Sequence, residues 1–348
     1  MARSPAVPAS LVVQTSYLGD VILTTPLLAE LAERGPVDVV TTPAGAAILA
    51  HHPAVRTIIS YDKRGDRRGL TGLWKTGRRL RNNYRTAFLA QGSMRSAALA
   101  VLAGCPERVG FSTSAGRSLY TRSVQYRPDR HHAERLWLLA APSDSVEPPA
   151  RARQPSLHPG SDDTDAVDRL LAAAGYGGEA LVAIAPGSAW ATKRWPYYPA
   201  LTRLLLGRWR VAIVGGRDDE GRAAEILTAA GRARAGVIDA TGRLAPLATA
   251  ALLRRCVALV GNDSAPQHLA SAVGTPTVTV YGPTVPEFGF GPLAPSHATA
   301  GLSHLDCRPC DRHGPRRCPL GHWRCMRDLS VQEIEQLVAR MTSPSHLS

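Results

Sequence analysis

Three loops in this chain put hydroxyls, carboxylates and cations where a parallel α/β sheet would present them to a ligand. The richest lies within Val260–Pro283, VGNDSAPQHLASAVGTPTVTVYGP. A short apolar run ends in Gly261-Asn262-Asp263-Ser264, and a helix-spaced segment follows with Leu269, Ala270, Ala272 and Val273. Gly274-Thr275-Pro276 stops that helix, and a second apolar strand leads into Tyr281-Gly282-Pro283-Thr284. Strand, polar loop, helix, strand and loop make a βαβ unit, in which ligands bind at the carboxyl ends of the strands. Asp263, Ser264, His268 and Thr284 stand at or beside those ends, where a nucleotide-linked ligand would sit.

The second loop, Ala185–Pro196, also follows a strand and precedes a helix. Gly187, Ser188 and Thr192 offer backbone and hydroxyl donors, and Lys193 and Arg194 add positive charge. A pyrophosphate placed there meets donors and a helix N-terminus together. Of 41 cations only Lys63, Lys75 and Lys193 are lysines, which draws attention to the compact ammonium of Lys193. At the next strand–helix junction, Val214–Glu220, a carboxylate such as Glu220 could accept bonds from a ribose, although acids are commonplace at helix starts. The third loop, Gln14–Val21, has Ser16, Gly19 for a tight turn, and Asp20 at the start of a helix. Taken alone, Asp20 reads as a helix cap ahead of a catalytic base, and the absence of GxGxxG argues against a dinucleotide here.

Four cysteines cluster as Cys307-x2-Cys310-x7-Cys318-x6-Cys325, with His304, His313 and His322 interspersed. That spacing allows a structural zinc clip, a redox-labile thiol group or a merely folded loop; it is not a standard zinc ribbon. Cys105 and Cys256 are isolated in apolar surroundings and read as inert core thiols.

The elements that must position these loops alternate along the chain. Leu11–Gln14, Val37–Thr41, Thr57–Ser60, Ala87–Ala90 and Arg108–Phe111 read as strands, with helices over 20–33, 44–51 and the basic 73–82. Pro142–Pro159, with five prolines, reads as a semi-rigid linker. Alternation then resumes with helix 164–174, strand Leu181–Ala185, helix 198–206, strand 210–214, helix 220–230, strand 236–239, helix 246–254 and strand 257–260. Helix 331–341 closes the chain. This predicts an α/β fold of two parallel-sheet domains, residues 1–155 and 156–348, the second carrying the Cys-rich loop 304–327.

With 348 residues and 44% hydrophobic content, the chain suits two ordinary cores rather than a disordered polymer. Its longest apolar stretches fall far short of a membrane span, and MARSPAVPAS lacks a signal-peptide core, so a cytoplasmic protein is expected. The net charge of +13 attracts nucleic acid, anionic lipid or phosphorylated substrates. Neither an aromatic stacking platform nor a recognition helix accompanies it, so nucleic acid is not the expected partner.

Together the loops resemble family nine of the glycosyltransferases, the ADP-heptose:lipopolysaccharide heptosyltransferases. The resemblance rests on Ser16–Asp20 (S-x-L-G-D), Ala185–Pro196 (A-P-G…K-x-W-P), Asn262–Ala270, Gly274–Pro276 and Gly282–Thr284. The cysteine stretch is similar to the tail of heptosyltransferase II members. One departure is Ala265-Pro266-Gln267, where the family usually has Gly-Pro-Met, and it bears on donor specificity. The resemblance implies a GT-B architecture of two Rossmann-like domains, the first for acceptor and the second for ADP-heptose. It implies inversion without a metal or other cofactor, with Asp20 as general base and Lys193 steadying the leaving diphosphate. Gly187, Ser188, Thr192, Glu220, Asp263, Ser264, His268 and Thr284 are then donor-side, and Ser16 and Gly19 acceptor-side. The acceptor would be of lipid A–Kdo–heptose type, reached by peripheral contact with the anionic inner face of the inner membrane. Another GT-B nucleotide-sugar transferase or a sugar-nucleotide epimerase would share the domains.

Overall fold

The computed structural model describes residues 9–62 and 69–343; residues 1–8 of the opening segment and Lys63 lie outside them. The chain divides into two compact units, one ending at His158 and the next beginning at Pro159.

In the first unit the elements run β1 (Ala9–Gln14), α1 (Leu18–Leu23), α2 (Thr25–Ala32), β2 (Val37–Thr41), α3 (Pro43–Ile48) and β3 (Thr57–Ser60). They continue with α4 (Gly69–Leu80), β4 (Tyr84–Leu89), α5 (Met94–Leu102), β5 (Glu107–Phe111), β6 (Arg122–Val124) and α6 (His132–Leu138). All six strands are parallel, in the order β3-β2-β1-β4-β5-β6. Leu11, Val12 and Val13 of β1 are wholly buried, the continuous apolar run of a strand covered on both faces.

The second unit runs α7 (Ser161–Ala173), β7 (Leu181–Ala185), α8 (Tyr198–Leu205), β8 (Arg210–Ile213), α9 (Glu220–Ala230), β9 (Val237–Asp239) and α10 (Pro246–Arg254). Then come β10 (Ala258–Asn262), α11 (Ala265–Val273), β11 (Thr277–Val280), β12 (His297–Ala300), α12 (Arg324–Arg327) and α13 (Val331–Met341). Its parallel sheet has the order β12-β11-β10-β7-β8-β9, the first unit's topology read from the other edge. In each unit the order reverses beside the first strand, between β1 and β4 and between β7 and β10. Polar loops leaving those strands face the crevice of a doubly wound sheet.

Three expectations need revision. The single helix over 20–33 is two helices, because Pro26 has no N–H to continue the first. Thr25 Oγ1 donates to the carbonyl of Ile22 at 2.8 Å, and Thr24 Oγ1 to that of Asp20 at 2.7 Å. Helices α5, α6 and α12 and strands β6 and β12 were not anticipated. The proline-rich stretch is docked rather than spanning free: Ala152 is fully buried, and Arg151 donates to Glu30 Oε2 at 2.9 Å. Glu30 also accepts from Arg34 and Trp137; burial alone would raise its carboxyl, but these partners hold it below the ordinary value. Among the described residues no helix is long and apolar enough to cross a membrane.

Candidate active site

In the first unit the candidate residues gather where β1 ends. Tyr17 is the N-cap of α1 and Asp20 lies inside its first turn, so the Asp20 carboxylate does not cap the helix. It meets two side chains instead. Ser16 Oγ donates to Asp20 Oδ2 at 2.6 Å, and His132 Nε2 stands 3.7 Å from Asp20 Oδ1. The Asp20 side chain keeps 20% exposure and that of His132 14%. Gly19 lies in the same turn, one residue before the carboxylate. The neighbouring loop, after β4, is tied to this one through Gln91, whose Oε1 accepts from Thr15 Oγ1 at 3.0 Å and Ser96 Oγ at 2.7 Å.

His132 was not singled out from the sequence. It arrives on α6, which packs on α2 and whose base is anchored by a buried arginine. Arg135 donates to the carbonyls of Arg127 and Pro128 and to Tyr126 Oη at 2.6–2.7 Å. The helix opens with His131, whose Nδ1 accepts from Ala133 N while Glu134 accepts from His131 N. A histidine cap is a weak signal, and the imidazole next to it went unread for that reason.

In the second unit, loops from β7, β10 and β11 converge. Lys193 Nζ donates to Asp263 Oδ2 at 2.6 Å, and Thr284 Oγ1 donates to the same oxygen at 2.7 Å. Both members of the ion pair are about nine-tenths buried. The other carboxylate oxygen accepts from Gln267 Nε2 at 3.0 Å. Gln267 is fully buried, also donates to the Phe290 carbonyl, and accepts from Thr279 Oγ1. Of the two residues that depart from the family pattern, Ala265 and Gln267, it is Gln267 that holds Asp263 from behind.

Asn262 fastens these loops together. Fully buried, it accepts at Oδ1 from Trp195 N and Tyr198 Oη, and donates from Nδ2 to the carbonyls of Pro186 and Gly187. Ser264 Oγ donates to Gly187 O at 3.3 Å, Ser188 Oγ accepts from Trp190 N, and Thr192 Oγ1 donates to the carbonyl of Pro315 at 2.5 Å. Gly187 has no room for a side chain, since a Cβ would fall 2.3 Å from the Asp219 carboxylate. The structure therefore brings together Gly187, Ser188, Thr192, Lys193, Asp263, Ser264 and Thr284. His268 is buried in α11, and Glu220 is exposed at the start of α9, beside Gly242, while Asp219 is the carboxylate against the β7 loop.

The cysteine loop forms a wall of this cluster. Gly314, in the left-handed region at φ +86°, packs against the Lys193 stem, and Cys310 N donates to Pro283 O. Cys310, Cys318 and Cys325 line one small cavity with Thr192 and Pro283. Burial would raise the Cys318 thiol, but backbone N–H groups of Trp323, Leu320, Gly321 and His322 bring it below the ordinary value. Burial pushes Cys325 up to about 11. Cys307 Sγ lies 3.9 Å from His322 Nε2, while the Cys310 thiol donates to Cys307 O. Among the described residues no group of three or more His, Cys, Asp or Glu side chains is arranged to hold a metal ion. Cys105 and Cys256 are buried, with thiols pushed up to about 11 and about 12 by burial, as core residues should be.

A doubled Rossmann-like sheet with polar loops at both switch points is the build of the GT-B glycosyltransferases. The E. coli ADP-heptose lipopolysaccharide heptosyltransferase II shares it, with a TM-score of 0.78 over 96% of this chain and 98% of that one, at 23% identity. The model of glycosyltransferase family 9 (heptosyltransferase) matches residues 73–323. Lipopolysaccharide heptosyltransferase 1 of Pseudomonas aeruginosa is 31% identical over 86% of this chain and 85% of its own length. Lipooligosaccharide heptosyltransferase 2 of Haemophilus influenzae is 26% identical over 80% and 84%. The chain belongs to glycosyltransferase family 9, the heptosyltransferase family, and is a glycosyltransferase.

Proposed function

We propose that this enzyme moves a heptose from an ADP carrier onto the inner core of lipopolysaccharide, inverting the anomeric carbon in one displacement. Relatives named lipopolysaccharide heptosyltransferase 1 and lipooligosaccharide heptosyltransferase 2 support the reaction class. The observation that carries the mechanism is the buried Lys193–Asp263–Thr284 cluster at the ends of β7, β10 and β11.

The second unit takes the donor. Lys193 faces the diphosphate as a fixed cation, the N-terminus of α11 adds its dipole, and the Gly187–Thr192 loop supplies donors. As the sugar–phosphate bond breaks, the charge that develops on the departing ADP meets Lys193, with no metal required. Asp263, held by Gln267 and Thr284, keeps the ammonium aimed. The first unit takes the acceptor at Ser16 and Gly19. The acceptor hydroxyl attacks the anomeric carbon, and Asp20 takes its proton. His132 and Ser16 position that carboxylate. An acceptor anchored in lipid calls for peripheral contact with an anionic membrane from the cytoplasmic side.

The test is a panel of ADP-, UDP- and GDP-sugars scored by thermal shift, followed by incubation with and without a heptose-deficient acceptor. ADP-heptose should stabilise the protein most, and product should form only with acceptor. A preference for a UDP- or GDP-sugar refutes the donor assignment, and conversion of donor alone identifies an epimerase instead.

A further inference from the structure

We infer that α4 is the surface that lays the first unit on an anionic lipid bilayer. The helix divides into two faces. Gly72, Leu73, Thr76, Gly77 and Leu80 are buried. Gly77 meets α5 so closely that a Cβ there would lie 2.4 Å from the Leu102 Cβ. The other face is exposed and carries Leu70, Trp74, Lys75, Arg78 and Arg79. Helical spacing sets Leu70, Trp74 and Arg78 in one row, with Lys75 and Arg79 in the row beside it.

Leu70 is 80% exposed and Trp74 49%, with the Arg78 guanidinium 4.7 Å above the indole ring. On the adjoining α5, Met94 and Val101 are exposed as well. Among the described residues, four of the seven exposed large hydrophobic side chains belong to these two packed helices. The charge is as one-sided as the apolar exposure. From Gly69 through Pro106 the chain has six cations and no acidic residue.

An aliphatic tip, an indole and a row of cations on one helix face suit a headgroup layer. Leucine enters the acyl boundary, the indole lies at the interface, and the cations meet lipid phosphates. A nucleic acid would satisfy the cations but leave Leu70 without a place. Since no described helix crosses a membrane, binding of this kind would be lateral. The inference deepens the proposed function by naming how the enzyme reaches a lipid-anchored acceptor. It is nonetheless read on bare lipid, so its failure is separate from failure of the donor assignment.

The experiment uses the full chain with phosphatidylcholine vesicles, with and without phosphatidylglycerol, followed by co-sedimentation and tryptophan emission. Binding should require the anionic lipid, and the emission should shift to the blue. Arg78→Glu with Arg79→Glu should weaken partitioning by roughly tenfold or more, as expected for reversing two headgroup contacts. Leu70→Ser with Trp74→Ser should weaken it comparably, while Trp74→Phe should keep binding and lose most of the spectral shift. An unchanged melting temperature in each variant shows that the fold is kept. Equal binding to neutral and anionic vesicles, or undiminished binding by both double variants, overturns the inference. So does capture of a short RNA or DNA duplex in preference to the vesicles.

Discussion

At the scale of single residues, the proposed mechanism turns on which neighbours a carboxylate has. Asp20 is flanked by a hydroxyl at 2.6 Å and an imidazole nitrogen at 3.7 Å, and neither contact is needed to build α1. Asp20→Asn should therefore leave ADP-heptose affinity nearly intact and lower kcat by about 10²–10⁴-fold, the range for removing a general base; comparable turnover in single-turnover assays would refute the assignment. His132→Ala should reduce kcat with the donor KM unchanged, and His132→Gln, which keeps a nitrogen near the Nε2 position, should restore part of it. A purely structural role for His132 would instead show as a lowered melting temperature with kcat intact. Gln267→Met installs the usual family residue and removes the amide that donates to Asp263 Oδ1. Loosening Asp263 should raise the donor KM several-fold while kcat changes little, measured by steady-state kinetics. Asp20, Lys193 and Asp263 could be proposed from the sequence because each stands in a motif of recognisable order just after a strand. His132 was not, because its contact with Asp20 depends on α6 packing back onto α2, a long-range event that no local pattern announces.

Among the elements, the second unit's β7 and β10 are joined beyond their ladder by one amide. Asn262 satisfies two carbonyls, one backbone N–H and a tyrosine hydroxyl, all in the interior. Asn262→Ala strands these groups without partners, so we expect a loss of about 2–4 kcal/mol in urea unfolding, on the scale of one to three for each buried group left unpaired. A loss below half a kilocalorie, on that same scale, would mean that water replaces the amide. The bounds of β7, α9, α10 and α13 could be read from the sequence because apolar runs there end at glycine, proline or charge. Strand β12, His-Ala-Thr-Ala, has little apolar content and lies on the sheet edge, and β6 is three residues long. Neither offers a periodic signal; each exists because a neighbouring strand supplies its ladder. Helix α4 illustrates the reverse case, since its basic character was plain in sequence but its exposed Leu70 and Trp74 required the burial of the opposite face to be seen.

For the molecule as a whole, the repeated strand–helix alternation was legible, whereas the strand order within each sheet and the fixing of each unit's ends were not. The last residues of the first unit are fastened by side chains remote in sequence. Ser156 N donates to Thr25 Oγ1 at 3.0 Å, and His158 meets His52 edge to face with ring centroids 5.1 Å apart. His52 is buried, and burial together with the nearby His158 pulls its pKa from 6.5 down to about 4. This sets the sign of a pH effect. Between those values the unfolded chain binds a proton at this position and the folded chain does not, so stability is full above pH 6.5 and falls as the pH drops toward 4. The loss from this one group reaches roughly 3 kcal/mol at the bottom of that window. His158, also depressed by burial, adds to the same trend. His52→Asn keeps an acceptor for the Ala54 N–H that His52 Nδ1 now serves, and removes the titration. Urea unfolding followed from neutral pH into the acid range should show a shallower decline for His52→Asn than for the parent chain, by on the order of one proton taken up per molecule. Parallel declines would mean that His52 takes up its proton at the same pH in the folded protein as in the unfolded chain, and the depression by burial and His158 would have to be given up.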